Sequence, residues 1–309
     1  MVPLPLATLS EVGVQIERFL WSASSRPGEP DADRALTAVL DWLWLAVVEP
    51  VLSCLGYVQT QGHPPRVWWV PTGLFGFLPI HAAQRRETGA MDYVVSSYAP
   101  TLRALQRTSA KLSTRSRALV VAMSETPGRA PFLYADEEAD AVAAHAAEAK
   151  ILRSAEATRD NVLGHLGDCS WAHFACHGEG NVLDRSSSRL VLHDHQTQPL
   201  TAADISTLRL DNAELAFLSA CSTAQPGMRI PDEAIHLGSA FQAAGFRHVV
   251  ATQWPVFDSI AARISRNFYQ QVADGSDGPA RALHTAVMRL RKDYPESPTR
   301  WAAHIHLGG

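Results

Sequence analysis

The chain has 309 residues, 46% of them hydrophobic and 19% charged, with a formal net charge of −4 and a pI near 6.3. That composition belongs to one large globular domain or two closely packed ones, and the lack of a basic excess argues against a nucleic-acid or anionic-membrane surface. The four cysteines, Cys54, Cys169, Cys176 and Cys221, contain no CxxC pair and make no disulfide framework, so a cytoplasmic, reducing location is expected.

Residues 9–20 predict a short amphipathic helix with Ser10 as its N-cap. Residues 22–33, SASSRPGEPDAD, predict a loop. Residues 34–48 are apolar nearly all round and predict a buried helix ended by Pro50, or one that 51–55 extend after a kink. The longest apolar stretch, 42–48, is too short to span a bilayer, and the N-terminus has no signal-peptide pattern, so no membrane contact is expected. Residues 67–70 and 93–98 predict strands, 78–83 a short helix carrying a packed or capping His81, and 102–112 a helix. From residue 118 strands alternate with helices. Strands are predicted at 118–122, 150–152, 189–192 and 248–252, and helices at 135–147, after a Thr158 cap, at 201–208, 233–244, 257–272 and 279–291. Asp258 is expected to cap the 257–272 helix, and the basic runs 85–87 and 289–292 are expected to be solvated helix faces.

Two further runs carry the chemistry. WAHFACHGEG at 171–180 and LAFLSACSTA at 215–224 begin as strands apolar on both faces, as buried parallel strands are. Ligands in open α/β sheets sit at the carboxyl ends of such strands, which would bring His177 and Cys221 to one edge. An imidazole beside a thiol is the minimal set for nucleophilic attack on a carbonyl, with His177 as base and then acid, and Cys221 as nucleophile. The backbone N–H groups of Gly178 and Cys221 are the candidate oxyanion hole. Cys176 and His173 are expected to be core residues. Cys176, His177 and Cys221, with His193 and His195 on a predicted strand face, lack the paired spacing of zinc ligands, and no P-loop, GxGxxG or GxSxG motif is present. No metal and no cofactor are therefore expected.

These segments, together with VPTGLFGFLPIHAA, DYVVSSYAPTLRAL, DEAIHLGSAFQAAGFRHVVATQWPV and the closing WAAHIHLGG, resemble a CHAT domain, a branch of the caspase-like (clan CD) cysteine peptidases, in the correct order from residue 34 to 309. The resemblance implies an α/β, caspase-like, mostly parallel sheet between helices. It divides the chain into an extension (1–33), an N-terminal α/β buttress (34–116) that either extends the sheet or forms a degenerate second unit, and a catalytic part (117–309). It also implies a His177–Cys221 dyad that cleaves a protein or peptide substrate, in cell-death or defence signalling, under a regulatory protein partner. Metacaspases carry an Asp two residues before the nucleophile, which favours a basic P1 residue. Here that position is Ser219, which removes the usual support for basic specificity. Asp232, Trp254 and Pro255 are the other candidates to line the substrate. The alternative is a catalytically silent caspase-like scaffold, and a third class is an acyltransferase or amidase using the same dyad.

Overall fold

A computed structural model describes residues 1–57, 63–101, 116–179, 187–219, 237–275 and 278–309. The first helix, α1 (Leu9–Ser24), starts where its sequence pattern predicts and runs four residues further at its C-terminal end. Thr8, not Ser10, is the N-cap, because its hydroxyl is the one that meets the Glu11 N–H (3.3 Å). Ser22, read as loop, turns inward and donates its hydroxyl to the Ala32 carbonyl at 2.8 Å, so a small polar residue is satisfied inside a helix pair. The partner is α2 (Pro30–Leu43). Pro50 does not end this run. One π turn, Trp44–Val48, leads into α3 (Glu49–Cys54), with the Glu49 N–H bonded to the Trp44 carbonyl just before the proline. A π turn shifts the hydrogen-bond frame by one residue and so accommodates a position that has no donor. The run Pro30–Cys54, 25 residues whose most apolar window has mean hydropathy 1.7, is long and apolar enough to cross a membrane, in contrast to the stretch singled out in the sequence. Half of its most apolar window is buried, and Leu36, Leu40, Leu43, Val48 and Leu52 lie in the core.

β1 (Arg66–Trp69) is followed by 3-10 turns at Gly73–Phe77 and Ile80–Ala82, where a helix was expected. The hairpin of β2 (Gln84–Arg85) and β3 (Thr88–Gly89) follows, so the 85–87 run is a turn rather than a helix face. Then come α4 (Ala90–Tyr93) and β4 (Val95–Tyr98), which pairs in parallel with β1. The helix expected at 102–112 lies outside the described residues.

The second part begins with β5 (Arg117–Ala122), α5 (Ala135–Ala143), β6 (Glu148–Arg153), α6 (Arg159–Leu166) and β7 (Trp171–Ala175). The Thr158 hydroxyl caps α6 as expected, accepting from the Asn161 N–H. The chain then leaves the main sheet for a small antiparallel one made by β8 (His177–Glu179), β9 (Arg189–Val191) and β10 (Leu200–Thr201). After α7 (Ala202–Ser206) it returns with β11 (Leu215–Leu218), α8 (Leu237–Ala244), β12 (His248–Thr252), α9 (Asp258–Ala273), α10 (Pro279–Asp293), α11 (Pro298–Trp301) and β13 (His304–Gly308). The main sheet has eight strands in the order β1-β4-β13-β12-β11-β7-β5-β6. Every described pairing in it is parallel except β12 with β13. The N-terminal strands therefore extend the same sheet, joined to the rest through β13.

The runs that make β7, β11 and β12 are buried at every position, as their double-sided apolar sequences require. Alternate residues serve opposite faces: His173 meets α5 and α9, whereas Phe174 packs edge-on against Phe241 of α8. β13 runs back along β12 with Gly308 opposite His248. Gly308 has φ +100, and a Cβ there would stand 2.1 Å from the Arg247 carbonyl oxygen, so only glycine fits this approach. The 289–292 run is helical as expected, but Arg291 is not a solvated charge. It binds both carboxylate oxygens of Asp92 (3.2 and 3.0 Å) and the Glu87 carbonyl (2.9 Å), tying α10 to α4 and the β2–β3 hairpin.

Candidate active site

β7 ends at Ala175, Cys176 is wholly buried as expected, and His177 opens β8, opposite Val191 of β9. The histidine is thus the second residue beyond the main-sheet strand and is half-buried. Its ring is held on two sides by the loop after β5. The Ala130 carbonyl oxygen lies 2.8 Å from Nε2, and Phe132 meets the imidazole edge-on, with centroids 5.7 Å apart and planes at 77°. A carbonyl only accepts, so Nε2 carries the hydrogen. That leaves Nδ1 as the basic nitrogen of the neutral ring, the form required of a general base.

The loop that supplies these contacts is itself pinned. Phe132 N–H donates to the Ser124 carbonyl (3.1 Å) and Leu133 N–H to the Asp258 carboxylate (3.3 Å). Asp258 therefore does not cap α9, whose N-cap is Phe257; it anchors the loop instead. Arg129 pairs with Glu179 of β8, and Glu179 also binds Arg189 of β9 at 2.6 Å. A backbone carbonyl carries no sequence signature, which is why no orienting partner for His177 stands out in the sequence.

Beneath His177 lies a buried polar cluster. Glu138 of α5 and His173 of β7 are both removed from solvent, with Glu138 Oε2 3.2 Å from His173 Nε2. The contact is close but off the line of a ring N–H hydrogen bond, so it is a polar contact rather than a hydrogen bond. The other carboxylate oxygen accepts the Ser219 hydroxyl at 2.9 Å, and His173 Nδ1 is 3.1 Å from the Tyr269 hydroxyl of α9. Burial, and then the charge of Glu138, hold the Tyr269 hydroxyl well above its ordinary range, so it remains a neutral partner. His173 is the hydrogen-bonded core histidine expected from sequence, whereas Glu138 was missed. Its signal was there: Ala135, Glu138, Ala139 and Val142 form the buried stripe of α5, and a carboxylate on such a stripe must meet a partner inside.

Cys221 and Asp232 lie outside the described residues. Ser219, just beyond β11, is buried and turned toward Glu138. Gly178 sits on β8 opposite Leu190. Trp254 is a correction to the expected substrate wall. Its ring is 1% exposed, packs edge-on against Phe19 and donates Nε1–H to the Thr299 carbonyl, so it belongs to the core; Pro255 and Val256 beside it are half-buried. His193–His195 form a turn rather than a strand face, with His195 buried and bonded to the Leu192 carbonyl. Among the described residues no three His, Cys, Asp or Glu side chains group as metal ligands. Burial pushes the Cys169 thiol up to about 11, which makes it unreactive.

The remaining buried histidines are structural. His81 bonds the Tyr98 hydroxyl and the Ala302 carbonyl, as a packed residue should. His248 and His306 meet at 3.2 Å, and His306 also reaches Ser97. His304 has no hydrogen-bond partner for either ring nitrogen among the described residues, and with His81 it lines a narrow cavity of about 30 Å³.

A mostly parallel sheet between helices, with a histidine just past one central strand and the neighbouring strand leading to a cysteine, is the architecture of the caspase-like cysteine peptidases of clan CD. Solved structures agree at the level of fold. The Arg-specific cysteine proteinase gingipain R superposes with a TM-score of 0.53 at 10% identity over 96% of this chain and 74% of its own. The complex of the pro- and mature domains of RgpB from Porphyromonas gingivalis gives 0.52 at 10%, over 97% and 75%. Separase, in the Saccharomyces cerevisiae separase–securin complex, gives 0.55 at 13% over 100% of this chain and 22% of its own. The chain belongs to the CHAT domain family, whose model matches residues 37–309. No curated protein matches it.

Proposed function

We propose that this protein is a cytoplasmic cysteine endopeptidase in which His177 and Cys221 form a catalytic dyad. The observation that carries the reading is the orientation of His177, whose Nε2–H is committed to the Ala130 carbonyl while Nδ1 is left for the thiol. The sheet register supports the partnership. Leu218 stands opposite Phe174, an offset of 44 residues, and 44 residues also separate Cys221 from His177.

In this reading Nδ1 takes the proton from Cys221 Sγ, and the thiolate attacks the scissile carbonyl. The oxyanion is met by the N–H groups of Gly178 and Cys221. The imidazolium gives its proton to the leaving amine as the C–N bond breaks, leaving a thioester. Water, deprotonated by the same imidazole, hydrolyses the thioester and restores the thiol. The substrate is a protein or peptide, Asp232 and Pro255 contribute to its binding surface while the buried Ser219 braces the strand end behind it, and a partner protein controls access in a cell-death or defence response.

The test is a peptide-library cleavage profile run with wild type, Cys221→Ala and His177→Ala. Cleavage lost in both variants, with unchanged thermal melts, is expected. Unchanged cleavage in Cys221→Ala refutes the proposal. A fold that binds partners yet neither cleaves peptides nor reacts with an acyl electrophile at Cys221 would favour the scaffold.

A further inference from the structure

Glu138 is the most deeply buried carboxylate among the described residues, and none of their arginines or lysines pairs with it. A buried carboxylate without a strong counter-charge is costly, so its placement needs a reason beyond packing. Its two oxygens join two neighbouring strands. One holds Ser219 at the end of β11 (2.9 Å), and the other lies against His173 on β7 (3.2 Å), which is braced by Tyr269. Ser219 is two residues before Cys221, and His173 is four before His177.

We propose that Glu138 is a positioning residue for the His177–Cys221 site: delivered from α5, its carboxylate clamps the two strand ends together and sets a fixed negative charge behind them. The inference rests on the reading of His177 and Cys221 as the reacting pair. The clamp limits how far the end of β11 shifts relative to β7. The charge favours the protonated form of the thiol.

Other charges around the cluster are accounted for. On α9, Arg266 is paired with Glu137. On β6, Arg153 is paired with Asp136 and Asp140. On β5, Arg117 is paired with Glu148 at the far end of the strand. Near His177, Glu179 is held between Arg129 and Arg189. None of these residues changes in the variants below.

The experiment measures the rate at which iodoacetamide alkylates Cys221, read on its own peptide by mass spectrometry between about pH 5 and 10. Glu138→Gln keeps the shape, an acceptor for Ser219 and a polar group facing His173, so the fold is retained. Its alkylation midpoint is expected below that of wild type. Ser219→Ala keeps the charge and loses the clamp, so it is expected to hold the wild-type midpoint while lowering the limiting rate several-fold. A Glu138→Gln midpoint equal to wild type overturns the inference, as does a Ser219→Ala protein identical to wild type or displaced as far as Glu138→Gln. His177→Ala separates the two claims. A profile moved by Glu138→Gln but indifferent to His177→Ala removes the dyad and keeps this inference. The reverse keeps the dyad and removes the inference.

Discussion

Acid should unfold this protein through two histidines in its core. His81 and His304 are 5% and 1% exposed, and burial holds each imidazole at about 4, against an ordinary value near 6.5. Above pH 6.5 neither the folded nor the unfolded chain protonates them, and they leave stability unchanged. Between about pH 6.5 and 4 the unfolded chain takes up the protons and the folded chain does not, so stability falls as pH falls. The loss is about 1.4 kcal/mol per pH unit per histidine, hence about 2 kcal/mol each at pH 5 and about 4 kcal/mol together. That is a large share of the 5–15 kcal/mol typical of a folded domain. His248, held at about 3, and His306, held well below its ordinary range, act in the same direction. Urea unfolding at pH 7, 6 and 5 measures the effect. His304→Leu removes a ring with no hydrogen-bond partner among the described residues, so it should change stability little at pH 7 and restore about 2 kcal/mol at pH 5 relative to wild type. Wild-type stability that is flat from pH 7 to 5, or a His304→Leu difference that does not depend on pH, would refute the reasoning.

Three other substitutions probe the frame around the site. Phe132→Leu keeps most of the buried area and removes the aromatic edge from His177. Stability should fall by less than about 1.5 kcal/mol while turnover falls about tenfold, and undiminished turnover would show that the ring does not hold the imidazole. Gly308→Ala places a Cβ against the Arg247 carbonyl at positive φ. Urea melts should show a loss of about 2–4 kcal/mol, and a loss under about 0.5 kcal/mol would mean that the backbone there yields freely. Arg291→Lys cannot reproduce the forked contact with Asp92 and Glu87, so it should lose about 1–2 kcal/mol, and Arg291→Ala about 2–3, in thermal melts. Equal stability of the arginine and lysine proteins would count against the fork.

The centre of the sheet is readable because β7, β11 and β12 are apolar on both faces, a pattern that only a covered strand tolerates. Thr158 and Thr201 mark helix starts because a hydroxyl followed three residues later by Asn161 or Asp204 is a local arrangement, complete within one turn. His177 stands out in the sequence only as one of a pair: a histidine–glycine step alone is commonly a turn, and it gains chemical meaning beside a second apolar strand that leads to Cys221. What holds it is not legible. The Ala130 carbonyl is a main-chain atom, and Phe132 is one aromatic among many until the loop has a shape. Glu138 hides in an acidic stretch whose neighbours face solvent, and only the alanine spacing betrays the inward face. Trp254 misleads for the opposite reason. Its place after a strand suggests the rim, but a large ring beside Phe19 gains more from burial under α1 than from the surface.

The position of β13 has a consequence for synthesis. The chain leaves the ribosome from its N-terminus, so β1 and β4 emerge early, and β5 to β12 follow as a separate group. In the sheet, β4 reaches that group only across β13, which is made after all of them. Until residue 308 is free of the tunnel, the early pair has an unsatisfied edge and β12 lacks a neighbour on one side. Nascent chains would therefore need that edge shielded, and whatever work the rim performs begins only after translation has passed β13.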